Sequence, residues 1–258
     1  MDKRATALVA DIERASNRDG PGMRTVVFFK GCPLSCCWCH NPECISFEKE
    51  ELFYPEKCIG CKKCAEGCFS GARVLCGKEM SAEEIVREIE RDRVYYGRDG
   101  GVTFSGGEPL AQAEVLSRCI DLCAEKGISS AVETSMIYYD EAVFKKLSLV
   151  MADLKIWDPA IHKRYVGVDN AVIKENFVRL SRLPVKVLAR TPVIPEISQG
   201  IPEISAFLKT LPNVVGYELL PYHPLGRGKA RALGREEPLY TIPDKTYMEE
   251  LSRYAFLR

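Results

Sequence analysis

The stretch that decides the fold is residues 19–43, DGPGMRTVVFFKGCPLSCCWCHNPE, in which a strand-forming run leads into a cysteine-rich loop. The β-branched and aromatic side chains of residues 25–30 predict a buried strand. The loop presents Cys32, Cys36 and Cys39 in the spacing Cys-x3-Cys-x2-Cys. Three thiolates on one loop can bind three irons of a 4Fe–4S cube and leave the fourth iron open to a ligand.

The same loop also allows a structural zinc site, completed by His40 or Cys37. Such a site would be closed by four protein ligands, whereas an open metal position is what catalysis requires. The spacing favours the open iron–sulfur site and, by itself, leaves both interpretations open.

A second group of cysteines has the spacing Cys-x2-Cys-x2-Cys-x3-Cys of bacterial ferredoxins. Its members are Cys58, Cys61, Cys64 and Cys68. Zinc is disfavoured here because zinc ligands usually come as two separated pairs. One run supplies one auxiliary 4Fe–4S cluster. Cys68 is the favoured fourth ligand, with Cys76 or Cys44 as the alternative.

Composition limits the class of protein. The chain has 258 residues, 46% of them hydrophobic and 28% charged, which excludes a disordered regulator. Lys plus Arg and Asp plus Glu number 36 each, so no global basic field attracts nucleic acid or an anionic membrane. No apolar run approaches the roughly 18 residues of a membrane span. We therefore expect a cytoplasmic protein, whose clustered thiols hold metal instead of forming disulfides.

Strands and amphipathic helices alternate along the chain, which predicts a parallel sheet with crossover helices. The six predicted strands are residues 25–30, 102–105, 129–134, 149–155, 185–190 and 214–220. Six βα units are fewer than the eight of a closed barrel. The predicted fold class is therefore α/β, an open, partial six-stranded (β/α) barrel. Ser81 and Glu84 form a capping box that begins one helix, and the last helix is predicted from residue 244 to about 256.

Residues 44–80 break this alternation and hold six cysteines. They are predicted to form a small inserted domain that folds around the auxiliary cluster bound by its cysteines. The barrel domain then comprises residues 1–43 and 81–258.

The end of the second predicted strand reads Ser-Gly-Gly-Glu-Pro over residues 105–109. Paired glycines allow a ligand to approach the backbone closely and to bind its free amides and carbonyls. A tight turn between a strand and a helix would look similar, so this motif is weak when taken alone.

Together, the Cys-x3-Cys-x2-Cys loop and the GGEP turn resemble the radical S-adenosylmethionine (SAM) superfamily. More narrowly, the chain resembles the activating enzymes of glycyl radical enzymes, the pyruvate formate-lyase activase group. The GGEP turn is part of SGGEPL (105–110), and four further motifs follow it in that family's order: VETS (132–135), MADLKIWD (151–158), RTPVIP (190–195) and LLPYHPLG (219–226). The resemblance implies a radical SAM type of barrel with a ferredoxin-like insert.

The resemblance also implies the roles of individual residues. Cys32, Cys36 and Cys39 would ligate the catalytic cluster. The SAM site would comprise Trp38, Gly106, Gly107, Glu108, Asp153, Lys155, Arg190 and His223. A monovalent cation beside the SAM carboxylate would be held by Glu133, Thr134, Met151 and Asp153, although the usual residue at the first of these positions is Asp.

The position of these residues along the chain agrees with that assignment. Each of the six predicted strands has one of these residues at or just past its C-terminal end: Cys32, Gly106, Glu133, Asp153, Arg190 and His223. Barrel enzymes place their chemistry at this face. Structural alternatives are an ion pair between Asp153 and Lys155, a strand-capping role for His223, and packing of Trp38 beside the cluster.

The implied activity is reductive cleavage of SAM to a 5′-deoxyadenosyl radical, which removes a Cα hydrogen from a glycine of a partner glycyl radical enzyme. The implied partners are that enzyme's glycine loop and an electron donor such as flavodoxin or ferredoxin. Three alternatives remain: a radical SAM enzyme acting on a small molecule, a ferredoxin-type electron carrier, and a zinc-stabilised interaction protein. A basic segment, Arg227, Lys229, Arg231 and Arg235, is interpreted as a solvated face that could also steer a protein partner.

Overall fold

The computed structural model describes residues 5–64, 67–236 and 238–258. Its strands are β1 (Thr6–Ser16), β2 (Arg24–Phe29), β3 (Glu50–Phe53), β4 (Arg73–Cys76), β5 (Lys78–Ser81), β6 (Gly101–Gly106), β7 (Ser129–Thr134), β8 (Leu149–Asp153), β9 (Lys186–Val193), β10 (Val214–Pro221) and β11 (Phe256–Leu257). Its helices are α1 (Ala82–Glu90), α2 (Ala113–Glu125), α3 (Glu141–Phe144), α4 (Pro159–Val166), α5 (Ala171–Leu180), α6 (Ile201–Lys209), α7 (Gly226–Ala232) and α8 (Lys245–Ser252).

A nine-stranded mixed sheet organises the molecule, in the order β11-β10-β9-β8-β7-β6-β2-β1-β5. The six central strands, β2 and β6 to β10, are parallel. They correspond to the six predicted strands, so the α/β class is confirmed. Three further strands of this sheet were not predicted, and all three pair antiparallel. Strands β1 and β5 lie beyond β2 at one end of the sheet, and β11 lies beyond β10 at the other.

Helices cover the parallel strands and form the main core with them. On α1, Ile85 and Ile89 are completely buried, as are Leu116 and Cys119 on α2. The predicted capping box is present, because the Ser81 hydroxyl accepts from the Glu84 backbone and the Glu84 carboxylate accepts from the Ser81 backbone. Burying apolar stripes of this kind is the main contribution to the stability of such a domain.

The prediction for the C-terminus was wrong in one respect. The last helix ends at Ser252, and Phe256 belongs to β11 instead of continuing the helix. The pairing of β11 with Gly216 and Tyr217 of β10, together with the contact of the Phe256 ring with the Tyr217 ring, outweighs local helix propensity here.

The segment between β2 and α1 contains a separate antiparallel pair, β3 with β4. After this pair, β5 returns to the main sheet and pairs with β1, Met80 lying opposite Ala7. The main sheet therefore resumes at Lys78, shortly before the predicted end of the insert at residue 80. In the described part of the chain, no helix has the length and apolar character needed to cross a membrane.

Candidate active site

One cavity of about 290 Å³ opens at the carboxyl ends of the parallel strands. Most of the residues predicted from the motifs line it: Cys32, Cys36, Trp38, Cys39, Gly106, Gly107, Glu133, Thr134, Asp153, Lys155 and His223. Three others lie in the wall behind these: Glu108 and Met151 are buried, and Arg190 is hydrogen-bonded to Glu133. Parallel strands bring their ends to one edge, which is why motifs far apart in the chain meet here.

The cysteine loop is held in place by its backbone. Gly31 N–H donates to the Cys44 carbonyl (2.7 Å), and Cys32 N–H donates to the Ile45 carbonyl (2.9 Å). Ser35 N–H donates to the carbonyl of Val166 at the end of α4 (2.9 Å). These bonds orient the loop above the sheet edge without using any of its thiols.

The three thiols of the loop lie in a buried environment. Burial raises the pKa of Cys32 to about 12 and that of Cys36 to about 11, and it also raises the pKa of Cys39. An isolated thiolate is therefore disfavoured here, whereas metal coordination deprotonates a thiol outright. Among the described residues, no three His, Cys, Asp or Glu side chains converge as ligands of a single metal ion do. The thiolates that bind a 4Fe–4S cube do not converge on one point, since each thiolate binds a separate iron.

The Gly-Gly turn packs directly against that loop. Gly107 N–H donates to the Phe29 carbonyl and Glu108 N–H to the Gly31 carbonyl, both at 2.8 Å. A Cβ added to Gly107 would lie 2.5 Å from the carbonyl oxygens of Cys44 and Gly31. Glycine is therefore needed here for close approach of two backbones, and this leaves the turn facing the cavity.

The Glu108 side chain is directed away from the cavity and fixes the turn. Its carboxylate accepts hydrogen bonds from the Thr134 hydroxyl (2.9 Å), the Ser135 backbone N–H (2.9 Å) and the Ser135 hydroxyl (2.6 Å). Burial raises the pKa of Glu108, and these donors oppose that rise. The carboxylate thus connects the end of β6 to the end of β7, whereas the backbone of the turn faces the cavity.

Asp153 and Lys155 form the ion pair that was considered as a structural alternative, with 2.5 Å between Oδ2 and Nζ. Both side chains nevertheless line the cavity. Burial alone would lower the pKa of Lys155, but the neighbouring Asp153 carboxylate holds it above its usual value. The pair therefore presents both a fixed cation and a carboxylate beside the cysteine loop.

The side chains expected to hold a monovalent cation make hydrogen bonds to their neighbours. Glu133 accepts from Arg190 (2.6 Å) and from the Ser105 hydroxyl (2.5 Å), so both of its oxygens have partners. The Thr134 hydroxyl is bound to Glu108. Met151 is buried.

His223 and Trp38 lie at the outer part of the cavity. The His223 ring contacts the His40 ring edge-on, with 4.5 Å between centroids. Trp38 lines the cavity and also packs against the small apolar cluster that contains Leu34 and Tyr222. The packing role considered for Trp38 is therefore present together with its exposure to the cavity.

The four cysteines of the ferredoxin-type run lie elsewhere, on the inserted segment. Cys58, Cys61 and Cys64 are exposed, and Cys68 is partly exposed. Cys44 and Cys76 are buried instead, and Cys76 packs in an apolar cluster with Leu52 and Ala232. The four cysteines of the run are therefore all at least partly accessible, whereas the two alternative ligands, Cys44 and Cys76, are not.

The basic segment has contacts that the sequence interpretation missed. Lys229 binds Asn41 (2.9 Å) and Glu43 (2.6 Å), directly after the cysteine loop. Arg235 binds the Pro42 carbonyl (2.6 Å), and its other terminal nitrogen binds Glu50 of β3 (2.5 Å). For these two residues the interpretation as a solvated face was wrong, because they connect α7 and the residues after it to the cysteine loop and the insert. Their acidic partners are so distant along the chain that no local pattern could have indicated them.

Comparisons with known proteins agree with this geometry. The model of the radical SAM superfamily matches residues 26–208. The trans-4-hydroxy-L-proline dehydratase activating enzyme of Clostridioides difficile is 33% identical, over 95% of each chain. The (2S)-3-sulfopropanediol dehydratase activating enzyme of Klebsiella oxytoca is 35% identical, over 99% of this chain and 92% of the relative. A solved domain of a pyruvate-formate lyase-activating enzyme from Bacteroides vulgatus matches 60% of this chain and 92% of its own, with 28% identity and a TM-score of 0.51.

The chain therefore belongs to the radical SAM superfamily and, within it, to the activating enzymes of glycyl radical enzymes. This membership decides against the electron-carrier and zinc-protein alternatives.

Proposed function

We propose that this chain installs a glycyl radical on a partner enzyme, using SAM and a 4Fe–4S cluster held by Cys32, Cys36 and Cys39. The observation that carries the proposal is that the three thiols, the Gly-Gly turn and the Asp153–Lys155 pair line one and the same cavity. When bound, the cluster supplies the electron that splits SAM into methionine and a 5′-deoxyadenosyl radical, which takes one Cα hydrogen from the partner's glycine.

The protein contributes binding and orientation to this chemistry. The backbone of Gly106 and Gly107 is proposed to face the methionyl amino group, in a turn that Glu108 holds rigid from behind. Asp153 can accept hydrogen bonds from amino or hydroxyl donors, and Lys155 can bind an anionic group.

The outer residues complete the SAM site in this proposal. His223 lies near the ribose, and Trp38 covers the cysteine loop. Arg190 acts from behind Glu133, close to the carboxylate of SAM.

We assign the auxiliary cluster to Cys58, Cys61, Cys64 and Cys68. In support, these four cysteines lie on one accessible segment, whereas Cys44 and Cys76 are buried apart from it. The inserted domain, 44–80, would either relay electrons to the catalytic cluster or organise the surface that docks a partner.

The overall arrangement is proposed to be a partial barrel with a lateral gap. Among the described residues, the end strands β5 and β11 each have a single strand neighbour, so the sheet does not close on itself. Such a gap would admit the glycine loop of the partner enzyme. An electron donor such as flavodoxin or ferredoxin, and a cytoplasmic location, complete the proposal.

Two matched variants test the cluster assignment. The reduced, reconstituted enzyme should convert SAM to 5′-deoxyadenosine, and Cys36→Ala should abolish this while keeping the auxiliary cluster. Cys37→Ala, in the adjacent residue, should retain turnover. Retained turnover in Cys36→Ala would refute the assignment.

The glycine target is tested by spectroscopy. Mixing the reduced enzyme and SAM with its partner should produce an EPR doublet that collapses when the partner's glycine Cα is deuterated. SAM cleavage without a radical on any encoded glycyl radical enzyme would favour a small-molecule substrate instead.

A further inference from the structure

Met136 has an unusual backbone conformation for a buried residue. In the described part of the chain, Ala15, Lys62 and Met136 are the non-glycine residues with a positive φ, and of these only Met136 is buried. Its φ is 60°, a left-handed conformation that is strained for a residue with a Cβ and persists only where the surrounding structure fixes it. Met136 directly follows Thr134 and Ser135, which line the cavity. The strain therefore lies at the edge of the candidate active site.

The turn that Met136 completes directs its neighbours at Glu108. Met136 N–H donates back to the Thr134 hydroxyl (3.0 Å), while the N–H and the hydroxyl of Ser135 both donate to the Glu108 carboxylate. Glu108 is completely buried and forms no ion pair with a described residue, so hydrogen bonds alone stabilise its charge. Burial raises the pKa of Glu108, and the two Ser135 donors come first among the groups that oppose this rise. Relaxation of Met136 to a negative φ would rotate the preceding peptide and move these donors away from the carboxylate.

Asn176 of α5 fixes the strained residue through its carbonyl. Asn176 is 3% exposed, and its Nδ2 donates to the Met136 carbonyl at 2.9 Å. Its Oδ1 accepts from Arg179 at 3.3 Å, which sets the orientation of the amide. The Arg179 guanidinium in turn lies over the Tyr139 ring, 3.8 Å from its centroid. The amide is therefore held so that its donor, and not its oxygen, faces Met136.

We propose that Asn176 is a positioning residue for SAM binding, because it holds Met136 in its left-handed conformation. Met136 in that conformation keeps Ser135 bonded to Glu108, and Glu108 keeps the Gly-Gly turn in place for the methionyl amino group of SAM. Asn176 itself does not line the cavity, so it acts only through these contacts. This inference rests on the proposed SAM site, and it adds to that site a residue that lies outside all of the motifs.

The test compares two asparagines by the Kd for SAM and by the free energy of unfolding of the reconstituted enzyme. Asn176→Ala should bind SAM roughly tenfold more weakly, the loss expected when one hydrogen bond that orders a site is removed. Asn213→Ala is the matched control, because Asn213 Nδ2 donates to three backbone carbonyls and does not line the cavity. It should lose at least as much free energy of unfolding and still bind SAM with the wild-type Kd.

A second comparison tests the strain itself. Glycine adopts a positive φ without steric cost, so in Met136→Gly the turn no longer needs the contact from Asn176. Adding Asn176→Ala to Met136→Gly should therefore change the Kd for SAM by less than twofold. Both proteins of this comparison lack the methionine side chain, so the packing lost with it cancels.

The outcomes separate this inference from the proposed function. A wild-type Kd for Asn176→Ala would overturn the inference and leave the SAM site intact. An equal loss of affinity in Asn213→Ala, or a tenfold loss that persists in the Met136→Gly background, would overturn it as well. No SAM binding by the wild type would refute the proposed site itself. If Asn176→Ala folds poorly, Asn176→Leu fills the same space without a donor and gives the same comparison.

Discussion

Replacing Gly107 with Ala should slow catalysis strongly and should also lower stability. In the native turn, Gly107 N–H donates to Phe29 and the following N–H, that of Glu108, donates to Gly31, each at 2.8 Å. These two bonds join the turn to the backbone that leads into the cysteine loop. Because the φ of Gly107 is not positive, the effect of alanine there is purely steric, unlike at Gly106 with its φ of 108°.

The magnitude follows from the distances. The new Cβ would lie 2.5 Å from the carbonyl oxygens of Cys44 and Gly31, whereas ordinary contact begins at 3.4 Å. The turn and the loop must therefore separate by roughly 1 Å, a displacement that can lower a rate by about 100-fold when it misplaces reacting groups. Overpacking of this kind costs about 1–3 kcal/mol of stability.

The assay compares Gly107→Ala with Gly228→Ala, in the reduced and reconstituted enzyme. The rate of 5′-deoxyadenosine formation should fall by about 100-fold in the first variant and remain unchanged in the second. Gly228 is a matched control because no atom outside its own helix lies within 4 Å of its added Cβ. Alanine is also more favourable than glycine at a helical position such as this one in α7. Iron content and thermal unfolding are measured on both variants.

One result would refute the reasoning. If Gly107→Ala retains the wild-type rate and iron content, the contact between turn and loop does not position the catalytic groups. An equal loss in both variants would likewise show that the effect is not specific to this contact.

Three further predictions concern separate parts of the molecule. Asp153→Ala and His223→Ala should each weaken SAM binding by about 1–3 kcal/mol, as lost polar partners do; calorimetric titration showing wild-type affinity in both would place these residues outside the site. Reconstituted wild type should hold about eight irons, Cys68→Ala about four and Cys76→Ala about eight, whereas about twelve in the wild type would contradict a single auxiliary cluster. Burial lowers the pKa of His162, so the folded state keeps it neutral while the unfolded chain takes up a proton near pH 6.5. The free energy of unfolding of the wild type should therefore fall as the pH drops from 7.5 to 5.5. The slope should be smaller in His162→Gln, and the two slopes should differ by up to about 1.4 kcal/mol per pH unit. Equal slopes of the two proteins in urea unfolding would contradict this.

Local features of this protein could be predicted from sequence because they depend on residues close together in the chain. The β-branched run before Cys32, the capping box of Ser81 and Glu84, and the Gly-Gly turn each appear where expected. The cysteine spacings indicated which thiols belong to one loop. The alternation of strands and helices implied a parallel sheet, and the carboxyl edge of that sheet is the place where distant motifs must meet.

The pairing of charged groups was decided only by the tertiary structure. Glu108 is bound by Thr134 and Ser135 instead of facing the cavity, and Lys229 contacts Glu43, 186 residues away. With 36 basic and 36 acidic residues, the sequence allows very many such pairs, and no local spacing distinguishes among them. Strand order and register select the few that form, because a side-chain ion pair requires its two groups to lie within about 4 Å.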